Sequence, residues 1–277
     1  MPPLSHDASR VMSHSGQRSN PEIPRSERRA RDYRPMDLHR LMEYGSAHEL
    51  AGRHRIARDL APPAPTDIVL DVGCANGYWP NLFLAGRAAK VVGVDVDREE
   101  IGRAVEFTRR SLGPVQPPSF GVSSAQDLPF TDGAFTLVYL MDVLEHVDDP
   151  ALTAREVLRV VAPGGRLVVS VPGDWAFNWL DPHYPGHRHY SPAQLRAFFP
   201  GIELLAAHHT GFLWATIWGK YLRFIATRAT RLLPGYRLRT RALRGANRTI
   251  DRVADLDCRF NYGFGAALCM VFRKPGT

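Results

Sequence analysis

Val69-Leu70-Asp71-Val72-Gly73-Cys74-Ala75-Asn76-Gly77 runs from an apolar strand into a glycine-bearing turn, and Val91-Val92-Gly93-Val94-Asp95 adds a second apolar run that ends in an acid. Asp95 stands 18 positions after Gly77. A strand, a turn that lets a ligand approach the backbone, and an acid at the tip of the next strand form the layout of a nucleoside-binding α/β half, in which the acid holds ribose hydroxyls. The details exclude a dinucleotide fingerprint. Its middle glycine, where pyrophosphate presses on the backbone, is replaced here by Ala75, and Asp71 precedes the turn. Asp71 would repel an anion and suit an ammonium group. Both features argue against a nicotinamide-dependent oxidoreductase.

The pattern extends in both directions. Leu38, Leu41, Met42, Leu50, Ile56 and Leu60 predict one or two helices over 36–60. Strand one covers 67–72, a helix runs from Tyr78 to about Ala88, and strand two covers 90–95. The next helix starts near Arg98, with Glu99 and Glu100 in the first turn, where the helix dipole favours acids. A short strand is expected near 118–122, then Phe135–Met141, then a helix over 150–161 stopped by Pro163-Gly164-Gly165, then a strand over 166–171. Ser191-Pro192 opens a helix to about Phe199, 202–207 reads as a strand, and 264–273 as a closing strand. Helices alternating with near-continuous apolar strands predict a parallel sheet covered on both faces.

The chain has 277 residues and 44% hydrophobic content, enough for one full core. Its net charge of +7 is carried almost wholly by Arg, since Lys occurs only at 90, 220 and 274, so it is no RNA-binding signal by itself. Cys74, Cys258 and Cys269 form no CxxC pair, which fits a reducing compartment. No secretory h-region opens the chain and no run of 18 apolar residues occurs, so a cytoplasmic protein is expected. Residues 1–35, rich in Ser, Pro, Arg and His, are expected to form a disordered basic tail ahead of one domain over 36–277.

Three further segments carry chemistry: Ser123-Ser124-Ala125-Gln126-Asp127-Leu128-Pro129-Phe130, the run from Phe135 through Asp142-Val143-Leu144-Glu145-His146-Val147, and Leu158-Arg159-Val160-Val161-Ala162-Pro163-Gly164-Gly165-Arg166. In this order, with the glycine turn and Asp95, they resemble the class I S-adenosylmethionine-dependent methyltransferases, in particular the small-molecule branch that includes the ubiquinone-biosynthesis enzymes. The resemblance spans roughly residues 40–210. It implies a Rossmann-like, doubly wound α/β fold with a seven-stranded sheet whose last strand runs antiparallel. It implies S-adenosylmethionine over the carboxyl ends of strands one, two and four.

Carried over by position, Asp71, Gly73, Cys74 and Gly77 surround the methionine part. Asp95 takes the ribose hydroxyls, Val96 packs on the adenine, Ser124 and Ala125 meet its amino edge, and Met141 lies near the sulfonium. Arg53, 20 residues before Gly73, matches an Arg that holds the cofactor carboxylate in ubiquinone O-methyltransferases. His146 and His187 are the candidate catalytic bases, with Tyr190 beside His187 on the substrate side. Asp142, Glu145 and His146 match a Glu-x-x-Glu-His metal-binding variant with Asp for the first Glu; the wider family carries the same turn without metal. No metal is therefore expected, with Mg²⁺ at this turn as the alternative. The three histidines of 183–189 have no partner cluster for zinc.

The stretch from Leu204 to Ile250 contains no Asp or Glu but has Lys220 and eight Arg. Phe212, Trp214, Ile217, Trp218, Tyr221, Leu222 and Ile225 recur at helical spacing, so a helical insertion over 212–250 is expected before the last strand. It could roof the acceptor pocket, form a homodimer contact, or touch a membrane peripherally through 212–233. Asp142-Val143-Leu144-Glu145 is not the Asn/Asp-Pro-Pro-aromatic motif of nucleic-acid amino methyltransferases, so no specific nucleic acid is expected as partner. The expected function is methyl transfer to a small or lipophilic acceptor, more at oxygen than at carbon or nitrogen, with a non-catalytic nucleoside-binding protein of the same fold as the alternative.

Overall fold

The computed structural model describes residues 46–111, 116–174, 188–211 and 259–276, together with Ile225, Arg228, Ala229, Gly245 and Leu256 as separate positions. The expected tail over 1–35, the start of the first helix, His183, His187 and nearly all of the expected insertion over 212–250 lie outside the described residues.

Along the chain the elements are α1 (Ser46–Leu60), β1 (Ile68–Val72), a π-helical turn (Pro80–Leu84), β2 (Lys90–Asp95), α2 (Arg98–Ser111), β3 (Ser119–Val122), β4 (Phe135–Met141), α3 (Pro150–Val160), β5 (Val161–Pro172), α4 (Pro192–Ala197), β6 (Glu203–Thr210) and β7 (Ala267–Arg273). The seven strands form one sheet in the order β3-β2-β1-β4-β5-β7-β6. The first five are parallel, and β7 runs antiparallel to both β5 and β6. This is the expected doubly wound α/β sheet with its reversed last strand.

Alternation along each strand divides the core between the two faces. Leu70, Val72, Val138, Leu140, Val169 and Val171 point one way, onto Ala154, Val157 and Val160 of α3 and onto Phe199 and Phe272. Val69, Leu137, Tyr139, Val168, Cys269 and Val271 point the other way, onto Ala57 and Ala61 at the α1 side and onto Trp79 and Leu84. The near-continuous apolar reading of the strands is therefore double-sided burial.

Two elements differ from the sequence expectation. The helix expected from Tyr78 to about Ala88 narrows to a π-helical turn, in which the Ala85 N–H reaches Pro80 O at 2.9 Å. Pro80 opens the turn at a position where its missing N–H has no partner to lose, and Gly86 at φ 73° follows its end. The second difference is at Pro163-Gly164-Gly165, which does not separate α3 from β5. The strand already begins at Val161, paired to Phe135, and the three residues form an irregularity inside it before Arg166 pairs with Leu137.

The loop between β3 and β4 is clamped by Arg159 of α3. Its guanidinium donates to Phe130 O (2.6 Å), Leu128 O (2.9 Å) and Asp132 Oδ1 (2.9 Å), and pairs with Glu156 at 2.9–3.0 Å. Only a planar five-donor group can serve all of these at once. Arg159→Lys is expected to lower unfolding free energy by about 1–2 kcal/mol, measured by urea melts; an unchanged midpoint would mean that the clamp is not formed in solution.

Candidate functional site

The carboxyl ends of β1, β2 and β4 meet at the turn after β1. The Gly73 and Cys74 N–H groups both donate to Val94 O, at 2.8 and 2.9 Å, and the Ala75 N–H donates to Asp95 Oδ2 at 2.8 Å. The other carboxylate oxygen of Asp95 accepts from the Asp97 N–H at 2.9 Å. Gly73 has φ 76°, and a Cβ there would run into the Val143 side chain. Gly77 has φ 72°, and its Cβ would meet Ala104 and Asn81 within 3 Å. The turn thus needs glycine twice, once to admit β4's loop and once to admit α2. Ala75 holds φ 44° without being glycine, which its hydrogen bond to Asp95 stabilises.

Asp71 lies at the end of β1, is 2% exposed, and has no hydrogen-bond partner among the described residues. Burial, and then the charge of Asp95, push its carboxyl well above the usual range. The Asp95 carboxyl is also raised, by burial, against the backbone N–H groups of Asp97 and Ala75. Cys74 is buried, its thiol pushed far up by burial, so it presents only backbone to the cleft. Val96 is 44% exposed. Ser124 and Ala125 are half-buried after β3, with Ser124 Oγ accepting from the Gln126 N–H at 3.1 Å. Met141 is buried at the tip of β4.

Arg53 reaches the same edge from α1. Its Nη1 lies 3.3 Å from Asp142 Oδ1, which also accepts from Ser170 Oγ at 3.2 Å. Asp142 adopts φ 55°, which Asp tolerates better than most residues. Asp142 Oδ2 and Glu145 Oε2 are buried without a partner among the described residues. Burial and the Asp142 charge raise the Glu145 carboxyl well above its ordinary value. His146 is partly exposed, with Nε2 3.9 Å from Glu145 Oε1. Among the described residues no three His, Cys, Asp or Glu side chains converge as a metal site. Asp142 turns toward Arg53 and Ser170 instead.

Residues 70–169 match the family described as methyltransferase domain. The 2-methyl-6-phytyl-1,4-hydroquinone methyltransferase of Synechocystis sp. is 38% identical over 117 residues, 42% of this chain and 34% of that protein. The chloroplastic tocopherol O-methyltransferase of Arabidopsis thaliana is 36% identical over 102 residues, 36% of this chain and 29% of that protein. Over residues 70–169 the chain is thus similar to methyltransferase domains. The matched stretches span about a third of these relatives' own length. In fold, the N-methyltransferase NodS from Bradyrhizobium japonicum, solved with S-adenosyl-L-homocysteine, superposes with a TM-score of 0.53 at 18% identity, covering 82% of this chain and 88% of that one.

The structure brings most of the predicted cleft residues to one edge of the sheet. Tyr190, expected on the substrate side, is instead buried, and its hydroxyl donates to Leu144 O at 3.0 Å. It fastens the loop that carries His146. Its neighbour His189 meets Gly173 O at 3.0 Å. Sequence reasoning missed His54. This ring stacks near Trp79 (centroids 4.8 Å apart), and its Nδ1 is buried without a partner. The signal was faint: a helical position next to Arg53, with no motif around it.

Burial pulls the His54 pKa down from 6.5 to about 4, with the Asp142 charge opposing and Arg53 adding to the fall. The unfolded chain therefore binds this proton more readily than the native one. The neutral ring's contribution is present above pH 6.5 and is lost as pH falls toward 4. His54→Phe is expected to flatten that acid loss by about 2 kcal/mol, read as the difference between variant and wild-type stability across this window. A constant difference would show that the ring titrates normally.

Proposed function

We propose that the domain binds S-adenosylmethionine and transfers its methyl group to a hydroxyl oxygen of a lipophilic acceptor. The observation that carries the reading is Asp71: a buried carboxyl beside a turn stripped of side chains, with no partner of its own among the described residues. A ligand ammonium supplies the missing opposite charge and restores ionisation of the acid. The remaining residues fit the same ligand. Both oxygens of Asp95 keep a lone pair for a ribose hydroxyl beyond their backbone bonds. Val96 offers apolar surface to the adenine, and Ser124 and Ala125 stand at the adenine edge. Gly73, Cys74 and Gly77 approach by backbone, Met141 lines the sulfonium end, and Arg53 takes the carboxylate.

When bound, S-adenosylmethionine supplies a methyl group activated by positive sulfur. The chain's own part is alignment and proton handling. His146, on the partly exposed turn after β4, accepts the proton of the acceptor hydroxyl as the oxygen attacks. His187 has the same role by resemblance alone. The names of the quinol- and tocopherol-directed relatives support a lipophilic acceptor. Among the described residues no helix is long and apolar enough to cross a membrane.

Asp71→Asn keeps the shape and removes the negative charge. Its affinity for S-adenosylhomocysteine is expected to fall about 10- to 100-fold by calorimetry, while 5′-methylthioadenosine, which has no ammonium, binds as before. Equal losses for both ligands would refute the ammonium contact. His146→Ala is expected to lower kcat about 100-fold or more on a phenolic acceptor, with S-adenosylhomocysteine affinity unchanged. Undiminished turnover would remove it as the base.

A further inference from the structure

Trp79 is an indole in a place where a phenyl ring would make the same apolar contacts. It is 4% exposed, stacks on Phe83 with ring centroids 4.8 Å apart, meets Tyr139 edge-on at 5.2 Å and lies 4.8 Å from the His54 ring. Its Nε1–H can only donate, and it is buried without an acceptor among the described residues. The neighbouring His54 Nδ1 is buried and unpartnered in the same sense. Packing uses the two rings but neither nitrogen, and buried polar groups left without a partner call for an explanation. Trp79 also stands immediately before the π-helical turn Pro80–Leu84, an irregularity that recurs at functional sites.

Position relates this pair to Asp71. Alternation along β1 puts Asp71 on the same face as Val69, the face that carries Ala57, Trp79 and Leu84. Tyr139, which Trp79 touches, is the register partner of Asp71 on β4. The orphaned nitrogens and the buried acid thus share one face of the sheet, and neither ring nitrogen bonds the carboxyl. Arg53 precedes His54 on α1, held by Asp142 at 3.3 Å. Burial, with the Arg53 charge, keeps the imidazole neutral against the pull of Asp142. A neutral imidazole carries one N–H, and with the proton on Nδ1 it donates beside the indole.

Two N–H groups backed by a guanidinium, and a buried acid that lacks a cation, are complementary to the two charges of an α-amino acid group. Water could satisfy the donors but would leave Asp71 without a counter-charge. An amine alone could satisfy Asp71 but would leave the donors bare. An inorganic anion would meet the donors and be repelled by the acid. One carbon bearing both a carboxylate and an ammonium answers every one of these groups.

We infer that Trp79 Nε1 and His54 Nδ1 donate to the α-carboxylate of the ligand's amino-acid end, beside Arg53, while Asp71 takes the ammonium. The inference rests on the proposed ligand and adds a selectivity to it. Directed N–H groups read the carboxylate, so a nucleoside that has the ammonium but no carboxylate is rejected.

The test is calorimetric binding of three nucleosides to the full chain. S-adenosylhomocysteine has both charges, 5′-(3-aminopropylthio)adenosine keeps only the ammonium, and 5′-methylthioadenosine has neither. Wild type is expected to bind S-adenosylhomocysteine about 10- to 100-fold more tightly than the aminopropyl compound. Trp79→Phe keeps an aromatic ring and removes the N–H. It is expected to weaken S-adenosylhomocysteine binding about 10-fold, with the other two nucleosides held within about 2-fold. His54→Phe, an independent change on α1, is expected to show the same selective loss at about 5-fold. Retained 5′-methylthioadenosine binding shows that the variants are folded. Equal losses for all three nucleosides in both variants, or unchanged S-adenosylhomocysteine affinity in both, would overturn the inference and leave the proposed function standing. So would a wild type that does not distinguish S-adenosylhomocysteine from the aminopropyl compound. A wild type that binds none of the three would refute the proposed function and this inference with it.

Discussion

The cleft depends on β2 holding the turn that follows β1. Val94 O takes two N–H groups and the Asp95 carboxylate takes two more, so four backbone donors of the turn and the next loop converge on two adjacent residues. Register makes this possible: Val72 lies opposite Val94, and Asp71 opposite Gly93. Gly93 has no side chain, and a Cβ there would collide with Cys74 Sγ and the Phe120 ring within 3 Å. The sulfur and the ring therefore occupy the space beside the acid, and the turn closes over them. Replacing Asp95 disturbs this turn as well as any ribose contact, which is why the charge-only change at Asp71 is the cleaner probe of ligand recognition.

The cost of this arrangement is electrostatic. Asp71, Asp95 and Glu145 are all driven by burial toward their neutral forms, and Asp142 sits among them with Arg53 as its cationic partner. A buried acid without a partner is a destabilising element that a fold does not need. At the carboxyl edge of a parallel sheet, a cation arriving with the proposed ligand would compensate it. The acidic excess of residues 46–203 extends the same bias to the whole domain: an approaching anion is repelled and an approaching cation drawn in.

The sheet was legible because its strands alternate with helices and are buried on both faces, so β1, β2 and β4 read almost to the residue. The candidate edge was legible because glycines with positive φ and acids at strand tips leave a fixed spacing. What escaped depends on long-range contacts. The exception is local: nothing in the apolar pattern marks the π-helical turn at Pro80–Leu84. The role of Tyr190 depends on a carbonyl 46 residues away. Arg53 was placed by spacing, but spacing could not show that Asp142, 89 residues on, holds its guanidinium. His54 has no motif; its depressed pKa comes from Trp79, Phe83 and Tyr78 packing around the ring from another element.

The far end of the sheet separates two problems that one segment solves. Among the described residues β6 is an edge strand, and an edge of outward N–H and C=O groups invites pairing with another chain. Asn261 satisfies one of each with a side chain. Gly265 solves the second problem: a Cβ there would lie 2.6 Å from Thr210 O, so only bare backbone can pass the end of β6 and enter β7 at Ala267, the residue that pairs with the same Thr210.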